Sequence, residues 1–241
     1  MAGARTPKDS LAAGKILRAA ETLFASHGIE KASLRDITML AGVNVASVNY
    51  HFGSKDILVE AVFAKLAERV NASRTSALEA VRAQAARSGR PASVEQIVQV
   101  FLAPYLAPNE QTHGELLAQF LLLNRLSPSP VTTKIMIEHF DPMARKFIEA
   151  LSQALPETPV QTLYWRYNFM ATTVFMSVTD KARESRLARL SEGAADPGNR
   201  EELEVALTDF LAAAIRGPSS LPPSAPAPQS ARRAPDKAQR Q

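Results

Sequence analysis

The stretch that decides the fold is SLRDITMLAGVNVASVNYHFGSK, residues 33–55. Its first half has apolar residues at helical spacing after Ser33, whose hydroxyl can cap the free amides of a first turn. Its second half has Asn44 as the cap of another short helix, 45–50. Between the two, Gly42 allows the positive φ that a sharp reversal needs. Two short helices joined by such a turn predict a helix-turn-helix, the device that places a helix in the major groove of DNA.

Helical patterns also flank this motif. Apolar residues recur at helical spacing from Asp9 or Ser10 to His27 and predict a first helix with one buried face. Gly28 then provides a stop. After the motif, Gly53 breaks the third helix and Ser54 can cap a fourth. The N-terminal region is therefore predicted to be a small helical domain built around the turn.

The rest of the chain has the composition of an all-α protein. Of the 241 residues 46% are hydrophobic, and no proline occurs from residue 8 through residue 90. No run alternates in the manner of a strand. Pro142 falls inside an apolar pattern that stays in phase, so it predicts a kink and not a helix end. Beyond the third helix, periodicity predicts helices near 55–87, 92–107, 110–126, 129–155, 158–191 and 199–216.

Composition also restricts the function. Without cysteine there is no disulfide framework and no thiol nucleophile, which suits the cytoplasm. We expect no secretory signal, because the first residues lack a long apolar core, and no membrane span, because no run of eighteen apolar residues occurs. The net charge is +4, but the segment 217–241 alone carries +3, so the overall basicity says little about DNA binding. That segment is rich in proline, serine and alanine, and we expect it to be disordered.

The first 55 residues resemble the TetR/AcrR family of bacterial transcriptional regulators. The resemblance lies in the first three helices and their turns, and it is carried by Ile16, Ala20, Leu23, Phe24, Gly28, Ser33, Arg35, Asp36, Ile37, Ala41-Gly42-Val43, His51-Phe52 and Ser54-Lys55. One place departs from it, since the family commonly has LYxHF where this chain has VNYHF. Asn49 therefore occupies the place of the family tyrosine and Tyr50 follows it. The phosphate contact of that tyrosine could pass to Asn49, to Tyr50 or to both.

The resemblance implies three regions. A helix-turn-helix DNA-binding domain spans 10–70, with the motif itself at 33–52, and a helical ligand-binding and dimerisation domain spans 71–216, followed by the tail. The sequence VNYHFGSK, together with YWRYNFM at 164–170, also resembles a narrower, fatty-acid-responsive PsrA-like subgroup. That likeness implies a small hydrophobic effector such as a fatty acid or an acyl-CoA.

Two kinds of DNA contact are expected from this domain. Small side chains at the start of the third helix allow a close approach to base edges, and Arg35 resembles the family position that reaches a base or a phosphate. Polar residues around them suit phosphate contacts, which fix the register. The candidate DNA-binding residues are Ser33, Arg35, Asn44, Val45, Ala46, Ser47, Asn49, Tyr50, His51 and Lys55.

Three of these residues have alternative roles. Arg35 would otherwise pair on the surface with Asp36 or Glu30. Tyr50 would face the groove or pack against the first helix, and His51 suits a hydrogen bond at the end of its helix more than base reading.

Regulators of this type read palindromic operators as homodimers, with recognition helices roughly 34 Å apart. The segment 163–178 is apolar nearly all round, so it must be buried on more than one side. The last helix has a second apolar stripe. The family forms its dimer through the last two long helices, and the candidate interface residues are Phe175, Leu203, Leu207, Phe210 and Leu211.

Aromatic residues and methionines of the second half could surround an apolar cavity. Plain core packing is the alternative for each. Arg166 would either form an internal ion pair, with Glu138 or Glu149, or hold the anionic head group of a ligand. We favour the internal pair. The candidate ligand-binding residues are Phe101, Tyr105, Phe120, Met136, Phe140, Trp165, Arg166 and Phe169.

The sequence offers little for an enzyme. The four histidines, His27, His51, His113 and His139, form no HExxH motif, and no glycine-rich phosphate loop occurs. We therefore predict no catalytic residues, no metal and no cofactor. A helical lipid-binding or adaptor protein without DNA binding remains the rival interpretation, and salt distinguishes the two because only DNA binding should weaken steeply as salt rises.

Overall fold

A computed structural model describes residues 7–107, 111–126, 128, 130–180, 185–219 and 221. The residues in these ranges form helices and connecting turns without any β-strand, so the predicted all-α class is confirmed. Most of the predicted tail, from residue 222, lies outside the described residues.

The N-terminal unit consists of α1 (Pro7–His27), α2 (Leu34–Ala41) and α3 (Val45–Phe52). The predicted caps are confirmed, since Ser33 Oγ accepts from the Asp36 amide and Asn44 Oδ1 accepts from the Ser47 amide. Gly42 has φ 64°, the left-handed conformation that the turn requires. The hairpin between α2 and α3 therefore has the sharp geometry that the sequence predicted.

The fourth helix, α4 (Lys55–Ser88), is the longest element, with 34 residues. Ser54 caps its first turn, and Gly89 follows its end with φ 65°. It packs against α1, α3, α5 and α6. The predicted domain boundary at residue 70 falls inside this continuous helix.

Seven more helices complete the described structure. Within them α11 packs on α5 and α9, and α5 lies against α4, α6 and α8. The helices are α5 (Val94–Leu106), α6 (Gln111–Leu126), α7 (Pro130–Ile135), α8 (Asp141–Ala154), α9 (Val160–Val178), α10 (Arg186–Leu190) and α11 (Arg200–Arg216).

Pro142 does not end its helix. A π-helical turn, Met136–Phe140, joins α7 to α8, and Pro142 lies in the first turn of α8. Because proline has no N–H to donate to the carbonyl four residues earlier, a wider turn before it accommodates the lost bond. The predicted continuation across the proline is confirmed, and the irregularity is this π-turn.

The prediction of one helix over 158–191 is wrong. Helix α9 ends at Val178, where the Thr179 hydroxyl donates to the carbonyls of Phe175 and Met176. Ser185 begins the separate helix α10, and its hydroxyl donates to Asp180 Oδ2 at 2.8 Å. Polar side chains that bond to nearby main chain favour helix ends, and the apolar pattern did not reveal this break.

Two close contacts fix the helices of the larger region. The rings of Phe63 on α4 and Phe120 on α6 are stacked with centroids 3.8 Å apart. Gly114 lies where α6 meets α5, since a Cβ atom there would be 2.5 Å from the Pro104 carbonyl oxygen. Arg200 strengthens the crossing because it donates to the Tyr105 carbonyl and pairs with Glu115.

None of the helices in the described ranges combines the length and the apolar character needed to cross a membrane.

Candidate nucleic-acid interface

Helix α3 presents one side to its own domain and the other to solvent. Val48 is fully buried and anchors the helix on the core. Asn44, Val45, Ala46, Asn49 and Tyr50 are exposed, while Ser47 and His51 are half-buried. The structure therefore brings the α3 candidates onto one exposed face, with short side chains at the helix N-terminus.

The cap of α3 also orients a possible reading group. Asn44 Oδ1 accepts from the amide of Ser47 at 2.9 Å and from its hydroxyl at 3.0 Å. With its proton committed to Asn44, the Ser47 oxygen is left with acceptor capacity only. In the major groove the exocyclic amino groups of adenine and cytosine are the donors that such an oxygen can bind.

Arg35 is exposed on the first turn of α2. The alternative surface pair with Asp36 or Glu30 is not formed, because no ion pair between described residues includes Arg35 and the Asp36 carboxylate instead accepts from the Ser33 hydroxyl at 2.6 Å. The guanidinium is thus available for the bidentate contacts that arginine makes with guanine or phosphate.

Tyr50 projects from the end of α3 and is 75% exposed, so the alternative in which it packs against α1 is wrong. Its ring is 4.9 Å from that of His51 in an edge-on arrangement. The neighbouring Asn49 is exposed as well. Both residues that could replace the family tyrosine are therefore accessible from solvent.

The side chain of Lys55, which the sequence suggested for a phosphate contact, already has one partner within the protein. Its ammonium donates to the carbonyl oxygen of Glu30 at 3.3 Å, which ties the start of α4 to the loop after α1. An ammonium group has three donors, so two remain for a phosphate.

A basic groove on α1 was not predicted. Lys15 and Arg18 line a depression of about 370 Å³ together with Leu40 and Ala41 of α2. The two basic residues are three positions apart and flank the buried Ile16. This spacing places both on one face of α1, and it is the sequence pattern that could have predicted the groove.

Among the described residues, no group of three or more histidine, cysteine, aspartate or glutamate side chains could hold a metal ion. The chemistry that the α2–α3 surface offers is hydrogen bonding and positive charge. These groups suit recognition of DNA, whose phosphates are negatively charged and whose base edges form hydrogen bonds.

Comparison with known proteins agrees with this geometry. Residues 16–62 match the family described as "Bacterial regulatory proteins, tetR family", and residues 99–214 match the "Tetracyclin repressor-like, C-terminal domain". The chain belongs to the TetR family. Its members are transcriptional regulators, and the recognised resemblance is confirmed.

Solved structures share the fold of this TetR-family protein at low sequence identity. The fatty acid degradation regulator FadR from Bacillus halodurans is 16% identical, with a TM-score of 0.55 over 89% of this chain and 99% of that chain. The ketosteroid transcriptional regulator KstR2 of Mycobacterium tuberculosis is 19% identical, with a TM-score of 0.55 over 88% and 97%. No curated protein matches the sequence significantly.

The candidate ligand-binding residues of this TetR-family protein fall into two groups. Phe101, Tyr105, Phe120 and Phe140 are buried in the core of the larger region, and Met136 is packed against that core. Trp165 and Phe169 are half exposed on the outer side of α9. The prediction that all of them surround one cavity is therefore wrong, since Trp165 and Phe169 face away from the core that holds the other residues.

The predicted partner of Arg166 is also wrong. Its guanidinium donates to the carbonyl oxygens of Ile215 and Gly217, at the C-terminal end of α11, where carbonyls lack partners within the helix. Of the two proposed carboxylates, Glu149 pairs with Arg82 at 3.4 Å. Arg166 thus caps α11 and borders an open groove of about 480 Å³ lined by Thr162, Trp165, Phe169, Ala214, Pro218, Ser219 and Leu221.

The predicted dimer-interface residues also divide into residues packed in the core and one exposed residue. Phe175, Leu207 and Leu211 are buried within their own chain, while Leu203 is half-buried and packed against the same core. Phe210 is 60% exposed. The sequence identified apolar stripes on α9 and α11 correctly but could not tell the inward face of each from the outward face.

Proposed function

We propose that this protein is a sequence-specific DNA-binding transcriptional regulator that reads a palindromic operator as a homodimer. The observation that carries the proposal is the exposed face of α3, which presents short polar and apolar side chains at a capped helix N-terminus. Beside it, the free guanidinium of Arg35 supplies positive charge.

The outer faces of α9 and α11 support the dimer. Trp165, Phe169 and Met176 are each at least half exposed and recur along one side of α9, and Phe210 is the exposed aromatic residue of α11. Large apolar side chains clustered on a surface mark an interaction site. A second copy of this chain would cover them in a four-helix contact, which replaces the interface predicted from Phe175, Leu207 and Leu211.

The regulator is proposed to act as a repressor that a small hydrophobic effector releases from DNA. A fatty acid or an acyl-CoA is the effector class that the PsrA-like resemblance suggests, and the structurally similar FadR is named as a regulator of fatty acid degradation. Such an effector needs to favour the DNA-incompatible arrangement by only about 1–3 kcal/mol.

Selection of bound fragments from bacterial genomic DNA tests the proposal, followed by fluorescence anisotropy with the enriched duplex. We expect a palindromic motif and an affinity that falls steeply between low and high salt. Arg35→Ala should weaken binding by about 1–3 kcal/mol if it contacts guanine, or reduce the salt slope by about one if it contacts phosphate.

Arg90→Ala is the matched control, because Arg90 is exposed in the turn after α4, far along the chain from α3. Its operator affinity should equal that of the unaltered protein. Equal binding of native and scrambled duplexes, or a purely monomeric protein in sedimentation, would refute the proposed function. Binding that is insensitive to salt would favour the adaptor interpretation.

A further inference from the structure

Arg74 is a buried cation in the middle of the larger region. It lies on α4 and is only 2% exposed. Its neighbours at a spacing of four residues, Val70 and Leu78, are buried apolar residues of the same helix face. A permanently charged side chain thus occupies a position where the helical pattern calls for an apolar one.

Aromatic rings surround the guanidinium. Its central carbon is 4.3 Å from the ring centroid of Phe101, 4.9 Å from that of Tyr105 and 5.8 Å from that of Phe147. Its Nη2 atom donates to the Phe101 carbonyl oxygen at 2.8 Å. Cation–π contacts stabilise a charge that has been removed from water, but they do not neutralise it.

No carboxylate balances this charge within the described ranges. The ion pairs found there involve Lys65, Arg69, Arg82, Lys134, Arg200 and Arg216, and none includes Arg74. Taking a cation out of water without a counterion is energetically unfavourable. Within the described ranges the Arg74 guanidinium therefore has no carboxylate in direct contact, although the charge of Asp141 acts on the nearby Tyr167.

The two nearby tyrosines do not supply that charge. Burial raises the pKa of the Tyr105 hydroxyl, against the opposing effect of Arg74. Burial likewise raises the pKa of Tyr167 to about 12. Both hydroxyls are protonated at neutral pH, so they are available as neutral donors.

Three buried polar atoms in this region also lack a hydrogen-bond partner in the described structure: Arg74 Nε, the Tyr105 hydroxyl and Asn71 Oδ1. Asn71 lies one turn before Arg74 on the same face of α4, and its amide nitrogen donates to the His139 carbonyl in the π-turn. Buried polar atoms are normally paired. A water molecule could satisfy some of these atoms, but it would leave the charge unbalanced.

We infer that Arg74 is the charge-recognition residue of the effector site, and that the effector is an organic acid with one carboxylate on an apolar body. Arg74 Nε and the Tyr105 hydroxyl donate to the carboxylate, and Phe101 and Phe147 contact the apolar part. Arg166, which the sequence suggested for this role, is occupied at the end of α11. The inference rests on the proposed function only in calling the ligand an effector.

Titration calorimetry on the full chain, without DNA, tests this assignment. The probes are decanoate and naphthoate, each compared with the neutral alcohol of the same skeleton, decanol and naphthylmethanol. We expect at least one acid to bind about tenfold or more tighter than its alcohol, because a hydrogen bond to a charged group contributes about 1.5–3 kcal/mol. Arg74→Met should abolish that preference, and Arg74→Lys should retain part of it.

Arg82→Met is the control, since Arg82 lies two turns further along α4 and pairs with Glu149. It should keep the full preference for the acid. Should Arg74→Met fail to fold, Tyr105→Phe removes only the hydroxyl and should weaken acid binding severalfold while leaving alcohol binding unchanged.

The inference is overturned if neither acid binds the unaltered protein, if alcohols bind as tightly as acids, if the acid preference survives in Arg74→Met, or if it is undiminished in Tyr105→Phe. Operator binding is measured separately on the unliganded protein. A failure of DNA binding would refute the proposed function and leave the result on the carboxylate standing.

Discussion

Replacing Gly114 by alanine should destabilise this protein, although alanine is the better helix former. A Cβ atom at Gly114 would lie 2.5 Å from the Pro104 carbonyl oxygen and 2.8 Å from the Tyr105 Cα atom. Ordinary contacts begin near 3.4 Å, so α6 would have to move away from α5 by about 1 Å. Both obstructing atoms belong to main chain and cannot rotate away.

The expected magnitude follows from two opposing effects. Overpacking of this kind costs about 1–3 kcal/mol, and the Arg200 contacts with Tyr105 and Glu115 resist the required shift. Alanine recovers about 1 kcal/mol of helix propensity. The net loss should be up to about 2 kcal/mol in the free energy of unfolding, or up to several degrees in Tm for a chain of this size.

Gly14→Ala is the matched control, because Gly14 is also a helix-interior glycine. A Cβ atom there would meet only the end of the Arg18 side chain, at 3.7 Å. This variant should be more stable by about 0.5–1 kcal/mol. Urea unfolding measures the free energy of unfolding of both variants relative to the unaltered protein. If Gly114→Ala is also stabilised, the tight crossing of α5 and α6 is not a real constraint.

Three further variants probe single contacts. Asn44→Ala should cost about 1 kcal/mol of unfolding free energy, since Asn44 caps α3, and an unchanged Tm would count against that role. Phe63→Ala should cost about 3–5 kcal/mol through loss of the stack with Phe120, and a loss below about 1 kcal/mol in urea unfolding would contradict it. Glu95→Gln should lower stability slightly at neutral pH, by less than about 1 kcal/mol because the pair with Arg216 is well exposed. Arg216 lowers the pKa of the Glu95 carboxyl in the folded state, so the stabilisation is present above the unfolded value of about 4.3 and is lost as the pH falls through the folded value. The difference between the two proteins should shrink in thermal unfolding as the pH falls below the unfolded value, and a difference that grows on acidification would reverse the assigned sign.

The DNA-binding half was largely predictable because its signals are local. Ser33 and Asn44 each act on an amide three residues away, and Gly42 acts on its own φ angle. Such interactions depend on the adjacent sequence alone, so the order and approximate bounds of the first helices followed from it. The orientation of Tyr50 could not be predicted from the adjacent sequence, because its exposure depends on how α3 packs against the rest of the domain.

The C-terminal half was less predictable because its interacting residues are distant from one another in sequence. Arg166 bonds to Ile215 and Gly217, about fifty residues away, and no periodic pattern reports that distance. Likewise, an apolar stripe such as that containing Phe175 shows which residues avoid water without saying whether the neighbour is the same chain or another.

Arg74 is a different case, since its signal was present in the sequence. Val62, Leu66, Val70 and Leu78 form an apolar row at a spacing of four, and Arg74 interrupts it. A charged residue within such a row points to a buried polar site.

The uninterrupted course of α4 limits how this protein can be re-engineered. At a rise of 1.5 Å per residue the helix is about 50 Å long, and it carries Lys55 at one end and Arg74 near its middle. Inserting a single residue between them would rotate one end against the other by about 100°. A chimera that joins the N-terminal helices to another helical domain must therefore preserve helical phase, and a flexible linker at residue 70 would interrupt the continuous helix.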